Sequence, residues 1–339
     1  MIISWNTTKR CHLKCQHCYR DAGEQETREL TTQEGKQLIE EIHKAGFKIL
    51  IFSGGEPLLR EDIYELVAHA SHLGLRPVLG TAGTTITRGI ARKLKASGAL
   101  RLGISLDSVR PEVHDAFRQT PGSFREAIQG MKNCRAEGLD FQIHTTIVEQ
   151  NDHEFEAITD FAVELGARAH HVFFLVPTGR AVNIEKEGIR RKQYEQLLHR
   201  IMDKQQEVEI ELKPTCAPQF MRVAEMKGLN MRFTRGCLAG TAYCCITPGG
   251  DVNPCPYLPY KVGNVLETPF DQIWAQSEMF NELRSMKFSG KCGECDYLKT
   301  CSGCRARAYY YTDKDYMAED PWCLYQPREK VQGQVNSDA

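Results

Sequence analysis

Three cysteines near the start of the chain, spaced C-x3-C-x2-C, restrict its possible folds and chemistry more than any other feature. They are Cys11, Cys15 and Cys18, with the polar residues Lys14 and Gln16 between them. A [4Fe-4S] cluster usually takes four thiolates, so three close cysteines would leave one iron open to an outside ligand. An open position also distinguishes catalytic from structural metal sites. The motif therefore predicts a reactive iron–sulfur site, with buried core thiols or a zinc site as alternatives.

Residues 1 to about 180 alternate between apolar, strand-like runs and helical patterns. Such alternation predicts parallel βα units joined by right-handed crossovers, and six units are fewer than the eight of a closed TIM barrel. Glycines suited to a left-handed helix end precede the later strands, at Gly46, Gly74, Gly98, Gly138 and Gly166. The six strand-like runs are Ile2–Trp5, Ile49–Phe52, Leu75–Leu79, Leu100–Leu106, Phe141–Val148 and His171–Val176.

The cysteine motif after the first strand, together with Gly54-Gly55-Glu56-Pro57 after the second, resembles the radical S-adenosylmethionine (radical SAM) superfamily. The resemblance implies an α/β fold, an open (β/α)6 partial TIM barrel with its site at the carboxyl edge of the strands. It also implies that S-adenosylmethionine chelates the open iron through its amino and carboxylate groups. Reduction of the cluster would then cleave S-adenosylmethionine and release a 5′-deoxyadenosyl radical.

The same resemblance assigns residues to the S-adenosylmethionine site. Gly54–Glu56 would contact the methionine amino group, and His17, which precedes the third cysteine, would lie near the adenine. Ser105 and Asp107, at the end of the fourth strand, resemble family positions near the methionine and ribose parts. For these two residues, ordinary strand-end polar side chains are the alternative.

A second group of cysteines lies beyond residue 215 and resembles the SPASM extension of radical SAM enzymes, which carries auxiliary [4Fe-4S] clusters. For Cys292–Cys304 alone, tetrahedral zinc is the alternative. Cys216 and Cys245 are left outside the ligand sets. The sets that the family's interleaved scheme implies are Cys237, Cys244, Cys255 and Cys304 for one cluster, and Cys292, Cys295, Cys301 and Cys323 for the other.

These features predict four regions along the chain. The radical SAM core occupies residues 1–182, and a bridging helical segment occupies residues 183–230. A small cysteine-rich SPASM domain covers residues 231–328, and residues 329–339 form a flexible tail.

Several stretches resemble the tetrapyrrole-modifying, NirJ-like subgroup of the superfamily. The resemblance implies that an acetate or propionate side chain of an iron tetrapyrrole, derived from sirohaem or coproporphyrin, is removed or oxidised in haem d1 or alternative haem biosynthesis. Arg180, Arg305 and Arg307 are candidates to bind substrate carboxylates, with solvated surface positions as the alternative. The stretches are Ile3–Thr8, Val176–Arg180, Gly236–Thr241 and Cys301–Tyr309.

Two adjacent histidines open the sixth strand. Successive strand residues face opposite sides, so at most one of His170 and His171 should point into the barrel. There it would ligate a haem iron or move a proton, and a hydrogen-bonded strand histidine is the alternative. Cys134 lies on the apolar face of its helix and is expected to be a core thiol.

Composition restricts the partners and the location of the protein. A net charge of −1 gives no reason to expect nucleic acid or an anionic membrane as a partner. Neither a membrane-spanning apolar run nor a signal peptide is present, which predicts a cytoplasmic protein. The resemblance to radical SAM enzymes implies an anaerobic enzyme that is reduced by a flavodoxin- or ferredoxin-type donor. Alternative functions are a peptide or sulfatase maturase and, more remotely, a non-enzymatic iron–sulfur carrier.

Overall fold

The computed structural model describes residues 1–23 and 28–327, and one continuous sheet organises them. Its main part consists of seven parallel strands that lie side by side in chain order, and all six predicted strands are among them. The strands are β1 Ile2–Thr8, β2 Ile49–Gly54, β3 Arg76–Thr81, β4 Arg101–Ser105, β5 Phe141–Ile147, β6 Ala169–Phe174 and β7 Glu211–Thr215.

Helices connect the parallel strands and cover one face of the sheet. In the first helix, for example, Leu38, Ile39 and Ile42 are fully buried, while Thr31 and Glu34 cap its amino end. All five predicted helix-ending glycines have φ between +64° and +88°, as a left-handed helix end requires. The helices are α1 Thr32–Lys44, α2 Ile63–His72, α3 Arg88–Ala96, α4 Pro111–Arg118, α5 Ser123–Ala136, α6 Phe155–Leu165, α7 Arg191–Lys204 and α8 Phe220–Met226.

The cysteine-rich C-terminal region extends the same sheet rather than forming its own. Its first strand pairs in parallel with β1, and the next two add antiparallel strands, so the order is β10-β9-β8-β1-β2-β3-β4-β5-β6-β7. The two ends of this order do not pair with each other, which confirms an open barrel. The remaining elements are β8 Tyr243–Ile246, β9 Asp251–Asn253, β10 Gly263–Asn264, α9 Phe270–Gln276, α10 Glu278–Ser285, α11 Gly290–Glu294 and α12 Arg305–Tyr311.

The segment 183–230, which the sequence predicts to be helical, also contains β7. This strand has only five residues, so its alternation of buried Leu212 and Pro214 with polar neighbours is too short to stand out in the sequence. Pro214 lacks an N–H donor and suits a strand that lies at one end of the sheet. The predicted tail at 329–339 lies outside the described residues. Within the described ranges, no helix combines the length and apolar character that a membrane crossing requires.

Candidate functional site

The carboxyl ends of β1 to β6 surround a cavity of about 170 Å³. Each of these strands, or the loop that follows it, contributes to the wall. The predicted site residues that line the cavity are Cys11, Cys15, His17, Cys18, Gly54, Gly55, Ser105 and Arg180, whereas Glu56 and Asp107 are not part of the lining.

Arg180 holds the cysteine loop from the opposite side of the barrel. Its Nε donates to the carbonyl oxygen of Cys15 at 2.9 Å, and its Nη1 donates to the carbonyl oxygen of Ala22 at 2.6 Å. The carboxylate that it meets in the structure is Asp21, at 3.0 Å. The neighbouring Gly179 is equally constrained, because a Cβ there would lie 2.5 Å from the carbonyl oxygen of Cys18. A role for Arg180 in binding a substrate carboxylate stays a prediction.

Gly54 and Gly55 form a tight junction between β2 and the segment before the first cysteine. A Cβ on Gly54 would lie 2.4 Å from the carbonyl oxygen of Thr8, and one on Gly55 would lie 2.1 Å from that of Arg10. The Gly55 N–H donates to the Thr8 oxygen at 2.8 Å. Only glycine allows the two backbones to approach so closely. Because glycine has no side chain, the cavity wall beside the cysteines consists of backbone here.

Glu56 is buried behind the lining. Its carboxylate accepts hydrogen bonds from Thr81 Oγ1 at 2.8 Å, from the Ala82 N–H at 2.9 Å and from the Leu58 N–H at 3.2 Å. Burial nevertheless raises the pKa of Glu56. The carboxylate therefore fixes the start of the loop after β3, and contact with a methionine amino group stays a prediction for the backbone of Gly54–Glu56.

Asp107 is also committed to the protein itself. Arg118 Nε donates to its Oδ2 at 2.6 Å, and the Thr146 N–H donates to its Oδ1 at 2.9 Å. Burial alone would raise the pKa of Asp107, but the Arg118 guanidinium lowers it to about 2. Both oxygens of Asp107 thus bind groups of the protein, Arg118 and the Thr146 N–H, and contact between Asp107 and the cofactor stays a prediction. Arg118 lines the cavity, and its Nη1 lies 3.7 Å from the Cys15 sulfur; no sequence pattern identified it as a site residue.

His17 forms a flat, uncharged part of the wall. Its ring stacks on Phe117, with ring centroids 4.1 Å apart and planes inclined by 21°. Burial lowers the pKa of His17 to about 3, so the ring is neutral at physiological pH. A flat, neutral ring is compatible with an adenine beside it. That His17 lies near the adenine of the cofactor stays a prediction.

Other cavity residues had no recognisable signal in the sequence. Tyr257 lies in the C-terminal region, yet it reaches the cavity and packs on Tyr19 with ring centroids 5.1 Å apart. His144 and Thr146 both lie on β5 and line the cavity from its floor and rim. These residues are far from the cysteine motif in the sequence, so no local pattern identifies them as site residues. His144 and Thr146 reach the cavity because β5 pairs with β4, and Tyr257 reaches it because the C-terminal region folds back onto the barrel.

One predicted auxiliary quartet is brought together by the structure. Four cysteines line the same small cavity in the C-terminal region, where the short helix α11 meets the segment after α12. Arg305 reaches the Cys292 sulfur at 3.8 Å, and the Asp320 N–H donates to the same sulfur at 3.3 Å. The four residues are Cys292, Cys295, Cys301 and Cys323.

The other predicted quartet needs a correction. The Cys244 side chain is fully buried in the apolar cluster beneath α9 and α10. Burial raises its pKa, and among the described residues the only cysteine that raises it further is its neighbour Cys245, which belongs to neither quartet. Cys216 takes the place of Cys244, because it lies close enough to Cys304 and Cys237 for both to raise its pKa further after burial. The set that converges is Cys216, Cys237, Cys255 and Cys304.

Arg305 and Arg307 are not at the cavity and not at the surface, which contradicts both expectations for them. They are 1% and 0% exposed. Arg305 donates to the carbonyl oxygens of Tyr316 and Ala318 at 3.1 and 2.7 Å. Arg307 makes a bidentate pair with Asp320, at 2.9 and 2.6 Å. Each arginine thus supports one auxiliary quartet from inside.

The cysteine groups suit iron–sulfur clusters chemically. Burial raises the pKa of Cys11 to about 12, so a thiolate there requires a cation beside it, which cluster iron provides. Within the described ranges, no three His, Cys, Asp or Glu side chains are placed to hold a single metal ion. A four-iron cluster takes one thiolate on each iron, so its ligands lie farther apart.

Comparison with known proteins gives two family matches. Residues 5–162 match the Radical SAM superfamily, and residues 237–305 match SPASM, described as an iron-sulfur cluster-binding domain. The chain is 43% identical to an AdoMet-dependent heme synthase of Methanosarcina barkeri, over 97% of both chains. It is 42% identical to a protein of the same name from Nitratidesulfovibrio vulgaris, over 96% of this chain and 93% of the relative. The Fe-coproporphyrin III synthase of Methanosarcina barkeri is 32% identical, over 97% and 89%.

Solved structures share the fold at low sequence identity. Streptococcus suis SuiB bound to S-adenosylmethionine superposes with a TM-score of 0.76 at 19% identity, covering 96% of this chain and 77% of SuiB. The enzyme anSMEcpe with bound AdoMet and a peptide gives a TM-score of 0.70 at 17% identity, covering 94% of both chains. The barrel and its cysteine-rich extension are thus an arrangement that known structures also have.

Proposed function

The chain belongs to the radical SAM superfamily and carries a SPASM iron–sulfur domain, and from this premise we propose that it is a haem synthase. Its substrate is an iron tetrapyrrole of the coproporphyrin type, and its reaction converts propionate side chains into vinyl groups. The observation that carries the proposal is the lining of one cavity by Cys11, Cys15, Cys18 and Gly54–Gly55. The names of the most similar relatives, which cover nearly the whole chain, support the choice of substrate.

The resident cofactors are [4Fe-4S] clusters and S-adenosylmethionine, which together supply a carbon radical that abstracts a hydrogen atom. In the proposal, the three motif cysteines hold the reactive cluster, and Gly54–Gly55, His17 and Ser105 contact S-adenosylmethionine. Arg180 keeps the cysteine loop in place, and Arg118, held by Asp107, offers a cation to a carboxylate in the cavity. The apolar side chains of β6 at the cavity wall exclude water from the reacting carbon.

Each propionate loses one hydrogen atom from the carbon next to the ring and then its carboxylate as carbon dioxide. The carbon–carbon bond to the carboxylate breaks, a vinyl double bond forms, and one electron must leave for an acceptor. The auxiliary quartets of the C-terminal region provide sites for clusters that can accept it, and a flavodoxin- or ferredoxin-type protein is the proposed reductant for S-adenosylmethionine cleavage.

The test is an anaerobic assay of the reconstituted protein with S-adenosylmethionine, a reductant and iron-coproporphyrin III. We expect 5′-deoxyadenosine, together with a tetrapyrrole that has lost one carbon dioxide and two hydrogen atoms for each side chain converted. Cys15→Ala should abolish both products, whereas Cys134→Ala, which removes a core thiol away from the site, should keep both.

Other outcomes would contradict the proposal. Deoxyadenosine that does not respond to any tetrapyrrole would favour a peptide substrate, such as the precursor peptide bound to SuiB in a solved structure that shares this fold. A response to a sirohaem derivative instead of iron-coproporphyrin would move the substrate to the haem d1 branch. No deoxyadenosine at full iron loading would refute an enzymatic function.

A further inference from the structure

A chain of hydrogen-bonding side chains crosses the barrel interior below the cavity. It runs from Arg101 at the start of β4 to Gln142 on β5, which contacts two histidines at once. Gln142 Nε2 lies 2.7 Å from His144 Nε2 and 3.2 Å from His171 Nδ1. The far nitrogen of His171 lies 3.6 Å from Glu211. None of these residues carries a role in the function described above.

Arg101 fixes the direction of every bond in this chain. Its Nη1 donates to Gln142 Oε1 at 3.4 Å, and a guanidinium has no acceptor. The amide oxygen of Gln142 must therefore face Arg101, and its NH₂ group must face the two imidazoles. Because the NH₂ group only donates, His144 Nε2 and His171 Nδ1 are both acceptors.

The hydrogen of the neutral His144 ring is therefore on Nδ1. Burial lowers the pKa of His144 well below its usual value, and the nearby His171, His170, Arg118 and Lys213 act in the same direction, so the ring stays uncharged. Within the described part of the chain, no hydrogen bond reaches Nδ1, although the residue lines the cavity.

The position of the ring is as restricted as its tautomer. Gly103 lies directly beneath it, since a Cβ there would be 2.2 Å from His144 Cε1. On the facing strand, Ser105 is the register partner of His144, and Thr146 follows two residues later on the same side of β5. Ser105, His144 and Thr146 thus form one polar strip of the cavity wall.

We propose that His144 is a cofactor-binding residue that presents a fixed Nδ1–H donor to an oxygen of bound S-adenosylmethionine, and that Gln142 is the residue that positions it. His144 is neither a base nor an iron ligand, because its lone pair faces Gln142. The inference rests on the proposed function only in taking S-adenosylmethionine as a ligand of this cavity, and it holds whatever the second substrate is. An oxygen acceptor is also present on tetrapyrrole carboxylates, so the experiment separates the two ligands.

The decisive variant is Gln142→Glu, which keeps the shape of the side chain but can only accept hydrogen bonds. Both histidines would then turn their N–H toward position 142, and His144 would face the cavity with a lone pair. We expect the Kd for S-adenosylmethionine, measured by calorimetry on the cluster-loaded protein without tetrapyrrole, to rise about tenfold for Gln142→Glu and for His144→Ala. His170→Gln is the matched control and should stay within about twofold, because His170 faces away from the cavity and bonds Thr145 and Thr159.

A second arm uses iron-coproporphyrin III and its Soret band. His144→Ala should leave both the band and the Kd for the tetrapyrrole unchanged. A shifted band, or a loss of affinity confined to the tetrapyrrole, would overturn the proposal in favour of a substrate contact. Wild-type affinity for S-adenosylmethionine in both His144→Ala and Gln142→Glu would overturn it as well.

Two further measurements cover the case in which Gln142→Glu does not fold. Arg101→Met frees the Gln142 amide to rotate and should weaken S-adenosylmethionine binding by a smaller factor. In protein labelled with ¹⁵N-histidine, the wild-type His144 signal should show a protonated Nδ1 and an unprotonated Nε2. The opposite tautomer would overturn the proposal without any activity measurement.

Discussion

The buried pair of Arg307 and Asp320 holds the two auxiliary quartets together, and Asp320→Asn should show how much it contributes. Both side chains are fully buried. The Asp320 carboxylate accepts from Arg307, from the Cys304 N–H at 2.8 Å and from Gln219 at 2.7 Å, while its own N–H donates to the Cys292 sulfur. One residue therefore contacts both quartets.

The magnitude follows from what the variant leaves behind. Asn has the same shape, but its NH₂ group must face donors in either orientation, and Arg307 keeps a buried charge without a counter-ion. Breaking a buried pair in this way costs about 3–5 kcal/mol, which corresponds to a fall in Tm on the order of 5–10 °C. In the double variant Asp320→Asn/Arg307→Met, part of this cost should return, because the orphaned charge is gone.

The assay is thermal unfolding of the anaerobic, cluster-loaded protein, with iron release followed in parallel. The matched control is Asp140→Asn, which breaks a surface pair with Arg168 at 3.0 Å whose side chains are 46% and 62% exposed. Exposed pairs contribute at most about 1 kcal/mol. An Asp320→Asn variant as stable as Asp140→Asn, or a double variant that loses the sum of both single costs, would refute the reasoning.

The remaining predictions concern one cluster ligand, one pH effect and one packing contact. Cys216→Ala should lower the iron content and change the signal of one auxiliary cluster in electron paramagnetic resonance, whereas Cys244→Ala should keep both, and the reverse result would restore the sequence-based ligand set. Burial lowers the pKa of His170 to about 3, so on acidification the unfolded chain takes up this proton before the folded protein does. The free energy of unfolding should therefore fall by about 1.4 kcal/mol for each pH unit below the ordinary histidine pKa. Denaturation from pH 7 to pH 5 should therefore show a flatter profile for His170→Gln, and an unchanged slope would contradict the assignment. Gly103→Ala should displace the His144 ring and weaken S-adenosylmethionine binding in calorimetry, with wild-type affinity as the opposing result.

Local spacing is enough to predict the reactive cysteine site. Cys11, Cys15 and Cys18 are within eight residues of one another, so any turn after β1 places them together. The role of Gly54–Gly55 can be predicted in the same way, because only glycine permits the backbone contacts found there. The alternation of strands and helices also follows from short-range apolar patterns, and it predicts the edge of the sheet at which the cavity lies.

The ligands of the auxiliary clusters could not all be predicted from local sequence patterns. Cys244 and Cys245 follow each other on β8, and the sequence could not decide which face of that strand is covered by α9 and α10. Cys216 follows β7, at the far end of the strand order from β8. Only the curvature of the open barrel brings the segment after β7 close to Cys237, which precedes β8, and to Cys255, which follows β9.

The sequence by itself determined the alternation of strands and helices, the reactive cysteine triad and the presence of a second cysteine region, since each rests on residues close together in the chain. The tertiary structure decided which charges and thiols have partners. Arg307 lies between Tyr194 and Trp322 and binds the carbonyl oxygen of Cys216, and Gln142 sets the tautomer of His144 because Arg101 lies on the next strand. Burial removes the competition of water for these groups, so their partners depend on packing between distant segments rather than on residue type.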